Sequence, residues 1–462
     1  MRVALFVHCF FPDHFYGTET YTLDLARNLR ELGHDPVVVS AIFPGEPGKP
    51  EVVSQYEYEG VPVYCIDKNH YPHTRVKDTY YQPALRGVLR DLLVKIAPDI
   101  VHVTHLINHT AVLLEIAHEL SLPTIATLTD FFGFCYNNKL EAADGSLCSG
   151  PNPSRTNCLA CYLKARAQQP AAGTVDRLGG THPWSSLAAQ GLHALHRLPG
   201  LRAGRLAGFV LDIKRRPDIL KACYAHYRAV IAPTRFLCSA YRANGLQAPV
   251  TLIRFGVDFQ RSPKPARKPE APIRFAFIGQ LARHKGTDIL IDAFSRLPIG
   301  TAELHIFGPE DQDPEYMAEL KAKADGRPVW FRGTFPGARL AAILAEIDFL
   351  VIPSRWYENS PLVLLNALAS HTPVIVSDVE GMTEFVEEGK NGFVFARGSV
   401  RGLEQVLKSI IDRPAQAHVL SASTGYPKTT RAMTEKTLEV YARVRGSTPE
   451  MSSNRIFMGV HS

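Results

Sequence analysis

Short apolar runs recur along the first half of the chain, spaced so that a helix fits between them. RVALFVHCF (2–10), DPVVVSAIF (35–43), IVHVTHL (100–106), PTIATLTD (123–130) and AVIAPT (229–234) are apolar or β-branched nearly throughout, the pattern of strands buried on both faces. Between them, ETYTLDLARNLRELG and TAVLLEIAHELS place apolar residues at helical spacing. A second series follows Pro272: IRFAFIG, ELHIFG, VWFRG, FLVIPS and PVIVSD. Alternation of this kind predicts the α/β class, with parallel sheets covered by helices. RSPKPARKPEAP, from Arg261 to Pro272, is rich in proline and basic residues and reads as a stiff linker. The expected organisation is therefore an N-terminal Rossmann-like domain over 1–260, a linker over 261–272 and a second Rossmann-like domain over 273–427. A helix over 428–445 and a frayed tail over 446–462 follow. Ligands of open parallel sheets gather at the carboxyl ends of the strands, which puts a site in the cleft between the two domains.

Composition narrows the picture. The 462 residues suffice for two or three domains with cores of their own. The net charge of +6 is modest for this length, and no nucleic-acid module accompanies it, so no nucleic-acid partner is expected. No apolar run approaches the length of about 18 needed for a spanning helix. The opening MRVALFVHCFFPDHF is interrupted by His8 and ends in Pro12-Asp13 without a small-residue cleavage site, so it reads as a first buried strand rather than a signal peptide. A cytoplasmic protein is expected. Between Leu195 and Leu220 six basic residues interleave with apolar ones. Two readings stand: an interfacial patch on an anionic membrane, or a solvated basic face whose apolar side packs on the protein.

The densest candidate chemistry lies in PSRWYENSPLVLLNALASHTPVIVSD (353–378), where a loop carrying Glu358 opens a helix. Ser360 suits an N-cap and Pro361 the first helical turn, leaving free N–H groups where a diphosphate could lie. IGQLARHKGTDILIDAF (278–294) adds Gly279, Gln280, Arg283 and Lys285. Together these segments resemble the nucleotide-sugar half of family-four glycosyltransferases, which retain anomeric configuration and have the two-domain GT-B architecture. The resemblance implies a nucleotide-diphosphate sugar as donor. It implies that Lys285 meets the diphosphate, Glu358 meets the sugar, and Asn359, Ser360, Pro361, Leu362 and Val363 hold both. Two positions depart from the family pattern: Gln280 stands where an Arg is usual, with Arg283 a candidate to compensate, and Asn366 stands where a ribose-facing Glu is usual. Read from the residues alone, Lys285 also fits an exposed lysine before a helix, Glu358 a first-turn acid balancing the helix dipole, and Asn366 a packing residue.

In the N-terminal half FYGTETYTLDLA (15–26) resembles the family's glycine-containing first loop, which implies that the backbone passes the donor phosphate at Gly17. ATLTDFF brings Thr129 and Asp130 to a strand end. Asp130 could orient an acceptor hydroxyl or cap the next turn; His105 and His109 are reserves. The resemblance implies transfer with retention to a saccharide or lipid-linked acceptor, in polysaccharide or glycolipid assembly, with the departing diphosphate assisting deprotonation. No pair of carboxylates suited to glycoside hydrolysis stands out. A GT-B-shaped epimerase or hydrolase, or a noncatalytic binding subunit, are the alternatives. No catalytic metal is expected: Asp311 and Asp313 form a D-x-D string, but Asp313 precedes Pro314 and a helical stretch and reads as an N-cap. Cys135, Cys148, Cys158 and Cys161 cluster in a loop-rich insertion poor in core residues. A structural zinc held by four thiolates, free buried thiols and disulfides are the readings for it. Cys9, Cys65, Cys223 and Cys238 read as packing residues.

Overall fold

The computed structural model describes residues 1–168, 183–195, 205–259, 262 and 271–446. Most of the linker, the 447–462 tail and residues 196–204 of the basic stretch lie outside them. Among the described residues the first domain holds an eight-stranded sheet in the order β3-β4-β2-β1-β5-β6-β7-β8. The strands are β1 (Arg2–Phe6), β2 (Asp35–Ile42), β3 (Val53–Tyr58), β4 (Val61–Asp67), β5 (Ile100–Val103), β6 (Thr124–Thr127), β7 (Ala229–Ala232) and β8 (Val250–Leu252). All pairings are parallel except β3 with β4. The second domain holds β9 (Ile273–Ile278), β10 (Ala302–Phe307), β11 (Val329–Phe331), β12 (Phe349–Ile352), β13 (Val374–Ser377) and β14 (Gly392–Phe395), all parallel, in the order β11-β10-β9-β12-β13-β14.

Both sheets reverse direction beside their first strand, between β1 and β5 and between β9 and β12. A crevice opens where neighbouring connections leave on opposite faces. The loop after β1 leads into a helix at Gly17, and the loops after β9 and β12 carry Gly279 and Glu358. Strands buried over their full length, such as β5, β6, β7, β12 and β13, are the ones whose apolar runs stood out in the sequence. The β3–β4 hairpin did not, because only one of its faces is buried. Its signal was Glu59-Gly60: both residues adopt positive φ, 49° and 76°, as a two-residue hairpin turn requires.

The Thr430–Gly446 helix packs along the Gly17–Glu31 helix of the first domain. Its Tyr441 is fully buried, with its hydroxyl 2.7 Å from His102 Nδ1 on β5. Asn28 donates to Thr430 Oγ1 at 2.9 Å. Met433, Val440 and Val444 join the apolar core that runs from β1 to the second domain.

The reading in which the basic stretch packs its apolar side on the protein is met, and the expectation of a core-poor insertion is corrected. It does have an apolar core, because the stretch read separately as a basic face folds onto it. Cys158, Leu159 and Ala160 pack with Ala189 of the Trp184–Leu195 helix and with Val210 and Ile213 of the Arg205–Tyr224 helix. That helix does not offer a continuous basic face. Arg216 is 3% exposed, stacked 4.9 Å from the Phe132 ring and 5.6 Å from the Tyr80 ring, and Lys214 Nζ meets His193 Nδ1 at 3.1 Å. Among the described residues no helix is long and apolar enough to cross a membrane.

Candidate functional site

Loops from both domains enclose a cleft of about 470 Å³. Gly279 and Gln280 leave β9, Lys285 follows in a short turn, and Trp356 to Val363 descend from β12 into the Leu362–Ala369 helix. The first domain contributes Tyr16 to Thr18, Thr129, Asp130, Asn138 and Lys139. Most of the expected donor residues thus share one cavity.

Glu358 is the organising group. It is 7% exposed, and its Oε1 accepts from Lys285 Nζ at 2.7 Å, from Trp356 Nε1 at 3.1 Å and from Ser354 Oγ. Among the described residues Oε2 carries no protein hydrogen bond. One carboxylate oxygen is fixed by the protein while the other is not. Lys285 and Glu358 neutralise each other in the open cleft.

The loop beyond Glu358 is held in an uncommon conformation. Ser360 adopts φ +61°, and its hydroxyl and Asn359 Oδ1 are buried without a partner. Buried polar atoms are rarely left unpaired, and here both belong to residues that wall the cavity. The expected cap is therefore corrected: Pro361 takes the N-cap position, and Ser360 makes no capping bond. Asn359 Nδ2 reaches across the cleft to Thr129 O at 3.1 Å, and Gln312 Nε2 reaches Tyr16 OH at 3.0 Å. A Cβ on Gly17 or Gly279 would meet nothing closer than the Phe277 ring at 3.5 Å; the room beside these glycines is left to the cavity.

Asp130 caps the next turn and also meets a histidine. Its Oδ1 accepts from Phe132 N at 3.0 Å and its Oδ2 lies 3.1 Å from His105 Nε2. Because Ile107 N donates to His105 Nδ1 at 3.1 Å, the proton of a neutral His105 belongs on Nε2, facing Asp130. His109 is a packing residue: it is fully buried, Nε2 meets Val7 O at 2.7 Å, and burial lowers its pKa to about 4.

Other expected residues lie outside the cleft wall. Arg283 turns away, pairing with Glu319 at 2.8 Å and stacking over Tyr316. Asn366 is half-buried farther along the helix and does not line the cavity. Asp313 caps the Pro314–Ala324 helix through Tyr316 N at 3.0 Å. Among the described residues one group of His, Cys, Asp or Glu side chains brings its ligand atoms within 4.8 Å of one another, His8, Cys9 and Glu19. No three of the four insertion thiols lie within that distance of one another. Cys135 instead meets Asn137 Oδ1 at 2.9 Å, Cys148 meets Gly150 O at 3.4 Å and Cys161 meets Glu141 O at 3.6 Å.

Several cleft residues carried no clear sequence signal. Trp356 floors the cavity between Lys285 and Lys139, with His284 against it at 3.7 Å. Arg355 grips Asp288 through both carboxylate oxygens and the Arg283 carbonyl at 2.6 Å, fixing the β12 loop to the Lys285 turn. Gly381 adopts φ +87°, and a Cβ there would stand 1.5 Å from the Glu358 carbonyl oxygen. The one legible hint was its glycine in SDVEGMTEF.

Comparison with known proteins agrees with this geometry. Residues 258–424 match the model of glycosyl transferases group 1, and residues 15–141 match that of Glycosyltransferase Family 4. The two matches fall in the second and the first domain respectively, and the group 1 match contains Gly279, Lys285 and Glu358. Over 174 residues the chain is 34% identical to the glycogen synthase of Mycobacterium tuberculosis (strain ATCC 25618 / H37Rv), covering 37% of this chain and 42% of that protein. Over 147 residues it is 29% identical to the sulfoquinovosyl transferase SQD2 of Arabidopsis thaliana, covering 31% and 27%. The matched stretch thus spans less than half of these relatives. Sucrose-phosphate synthase from Thermosynechococcus elongatus superimposes with a TM-score of 0.61 at 15% identity, over 97% of this chain and 100% of that one. Anabaena HepE, solved in complex with UDP and glucose, superimposes with a TM-score of 0.60 at 14% identity, over 96% and 100%. The fold is GT-B.

Proposed function

We propose that the protein is a retaining glycosyltransferase that moves a sugar from a nucleotide-diphosphate sugar to an acceptor hydroxyl. The observation that carries this reading is the meeting, in one cleft between the domains, of Lys285, Glu358 and the two unpartnered atoms Asn359 Oδ1 and Ser360 Oγ. The names of similar proteins support it: glycogen synthase, a sulfoquinovosyl transferase and a protein solved with UDP and glucose.

In this reading the free Oε2 of Glu358 accepts hydrogen bonds from the donor sugar, while Asn359 and Ser360 complete the sugar and phosphate contacts. Lys285 leaves Glu358 for the diphosphate as negative charge grows on it, with the N–H groups of Leu362 and Val363 beside it. Gly17 lets the first-domain backbone approach the same phosphates. The bond from the anomeric carbon to the diphosphate breaks, the acceptor oxygen bonds that carbon on the same face, and the acceptor proton passes to the departing diphosphate. Asp130, with His105 behind it, orients the acceptor. Catalysis is then positioning and charge stabilisation. The acceptor is a saccharide or a lipid-linked sugar of polysaccharide or glycolipid assembly.

Incubation of the purified protein with labelled UDP- and ADP-sugars, with and without oligosaccharide acceptors, tests this. Release of free nucleotide that depends on the acceptor, with a product whose anomeric configuration by NMR matches the donor, is the expected result. Conversion without acceptor would identify an epimerase or hydrolase, and binding without turnover a noncatalytic subunit. An inverted product would overturn retention.

A further inference from the structure

Lys139 belongs to the cysteine-bearing insertion of the first domain, yet its side chain lines the cleft. Its Nζ lies 4.8 Å from the centre of the Trp356 ring, and Lys285 Nζ lies 5.3 Å from the same centre. Two ammonium groups from opposite domains thus share one aromatic platform. Lys285 is neutralised by Glu358 at 2.7 Å. Among the described residues Lys139 has no carboxylate within 4.0 Å, because the neighbouring Glu141 pairs with Lys164 at 3.7 Å. Burial, and then repulsion from Lys285, hold the Lys139 pKa below its ordinary value. Glu141 offsets this only in part, and it pairs with Lys164 rather than with Lys139.

The position is also built. Asn137 Oδ1 accepts from Lys139 N at 3.1 Å, and Asn137 Nδ2 donates to Glu141 O at 2.7 Å, closing the turn that carries the lysine. On the facing wall stands Gln280, neutral at a position where the family resemblance implies an arginine. A diphosphate carries more than one negative charge, and Gln280 supplies hydrogen bonds without charge.

We propose that Lys139 supplies, from the opposite domain, the second diphosphate-binding cation that Gln280 lacks, so that a donor diphosphate is clamped between Lys139 and Lys285. This rests on the reading of the cleft as a nucleotide-sugar site. Donor recognition then depends on the insertion, and the clamp exists only when the two domains face each other.

Calorimetric titration with UDP, ADP, GDP, dTDP and their nucleosides tests it. Lys139→Ala is expected to weaken the best-bound diphosphate roughly 10- to 100-fold, the range of a charged hydrogen bond, while leaving nucleoside binding and the melting temperature in place. Lys139→Arg should retain binding. Adding Gln280→Arg to Lys139→Ala should recover most of the loss. If Lys139→Ala binds the diphosphate like the wild type while Lys285→Ala binds it poorly, the clamp is wrong and the donor site stands. If Lys139→Ala loses nucleoside and diphosphate equally, or melts early, the lysine is structural and the clamp is overturned. A wild type that binds none of UDP, ADP, GDP and dTDP would remove the donor reading and the clamp with it.

Discussion

Glu358 has its two carboxylate oxygens in different settings. Its Oε1 takes donors from Ser354, Trp356 and Lys285, which fixes the carboxylate plane and leaves Oε2 aimed elsewhere. Glu358→Gln is nearly isosteric, so the fold should persist, but it removes the charge that, in the proposed role, strengthens each hydrogen bond to a sugar hydroxyl. Transfer is expected to fall roughly 10- to 100-fold with a melting temperature close to that of the wild type. Steady-state turnover beside a thermal melt checks this, and unchanged turnover would sink the sugar-binding role. At this scale the sequence was readable where a motif carries its own spacing, as at Lys285 and Glu358. It misled at Arg283, whose proximity in sequence to Lys285 hid the pull of Glu319.

Among the elements, the loop from β12 into the Leu362–Ala369 helix owes its shape to a neighbouring turn. Gly381 lies against the Glu358 carbonyl with no room for a Cβ, at a φ of +87° that L side chains rarely adopt. Gly381→Ala must therefore move the Glu358 backbone or its own turn. A loss of about 2 to 4 kcal/mol is expected from strain and overpacking, with activity lost more steeply than stability because the displaced residue is Glu358. Denaturant unfolding alongside turnover measures both; an undisturbed protein would show that the turn yields freely. The insertion offers a second test. If its apolar core around Cys158, Ala189, Val210 and Ile213 carries its stability, treatment with a strong chelator leaves the melting temperature unchanged. A drop on chelation, restored by zinc, would assign that stability to a four-thiolate site.

For the whole molecule, the Thr430–Gly446 helix ties the end of the chain to the first domain through His102. His102 is fully buried between Tyr441 OH at 2.7 Å and Thr127 Oγ1 at 2.8 Å, and burial lowers its pKa from 6.5 to about 3. An unfolded chain takes up the proton near pH 6.5 while the folded one refuses it until about pH 3. The stabilising contribution is therefore complete above pH 6.5 and is lost progressively as pH falls towards 3, by a few kcal/mol. Melting temperature measured against pH should decline over this window, and less so in His102→Gln. Tyr441→Phe should cost about 1 to 3 kcal/mol at neutral pH by orphaning a buried imidazole nitrogen. Equal acid sensitivity of wild type and His102→Gln would remove this account.

Alternating apolar runs and helical spacing determined the α/β class and two sheets, since those patterns follow from burying a strand on both faces and a helix on one. The placing of Gly279, Lys285 and Glu358 on strand-end loops was equally local, because glycine, proline and a helix start act over a few residues. Tertiary structure alone decided which charges meet. Lys139 and Lys285 are far apart in sequence and share Trp356; Gly381 is required by the Glu358 carbonyl, and Arg216 is buried beneath the insertion rather than offered to solvent. Electrostatics and steric exclusion act through space, and a chain that brings distant loops to one cleft sets these relations only once it has folded.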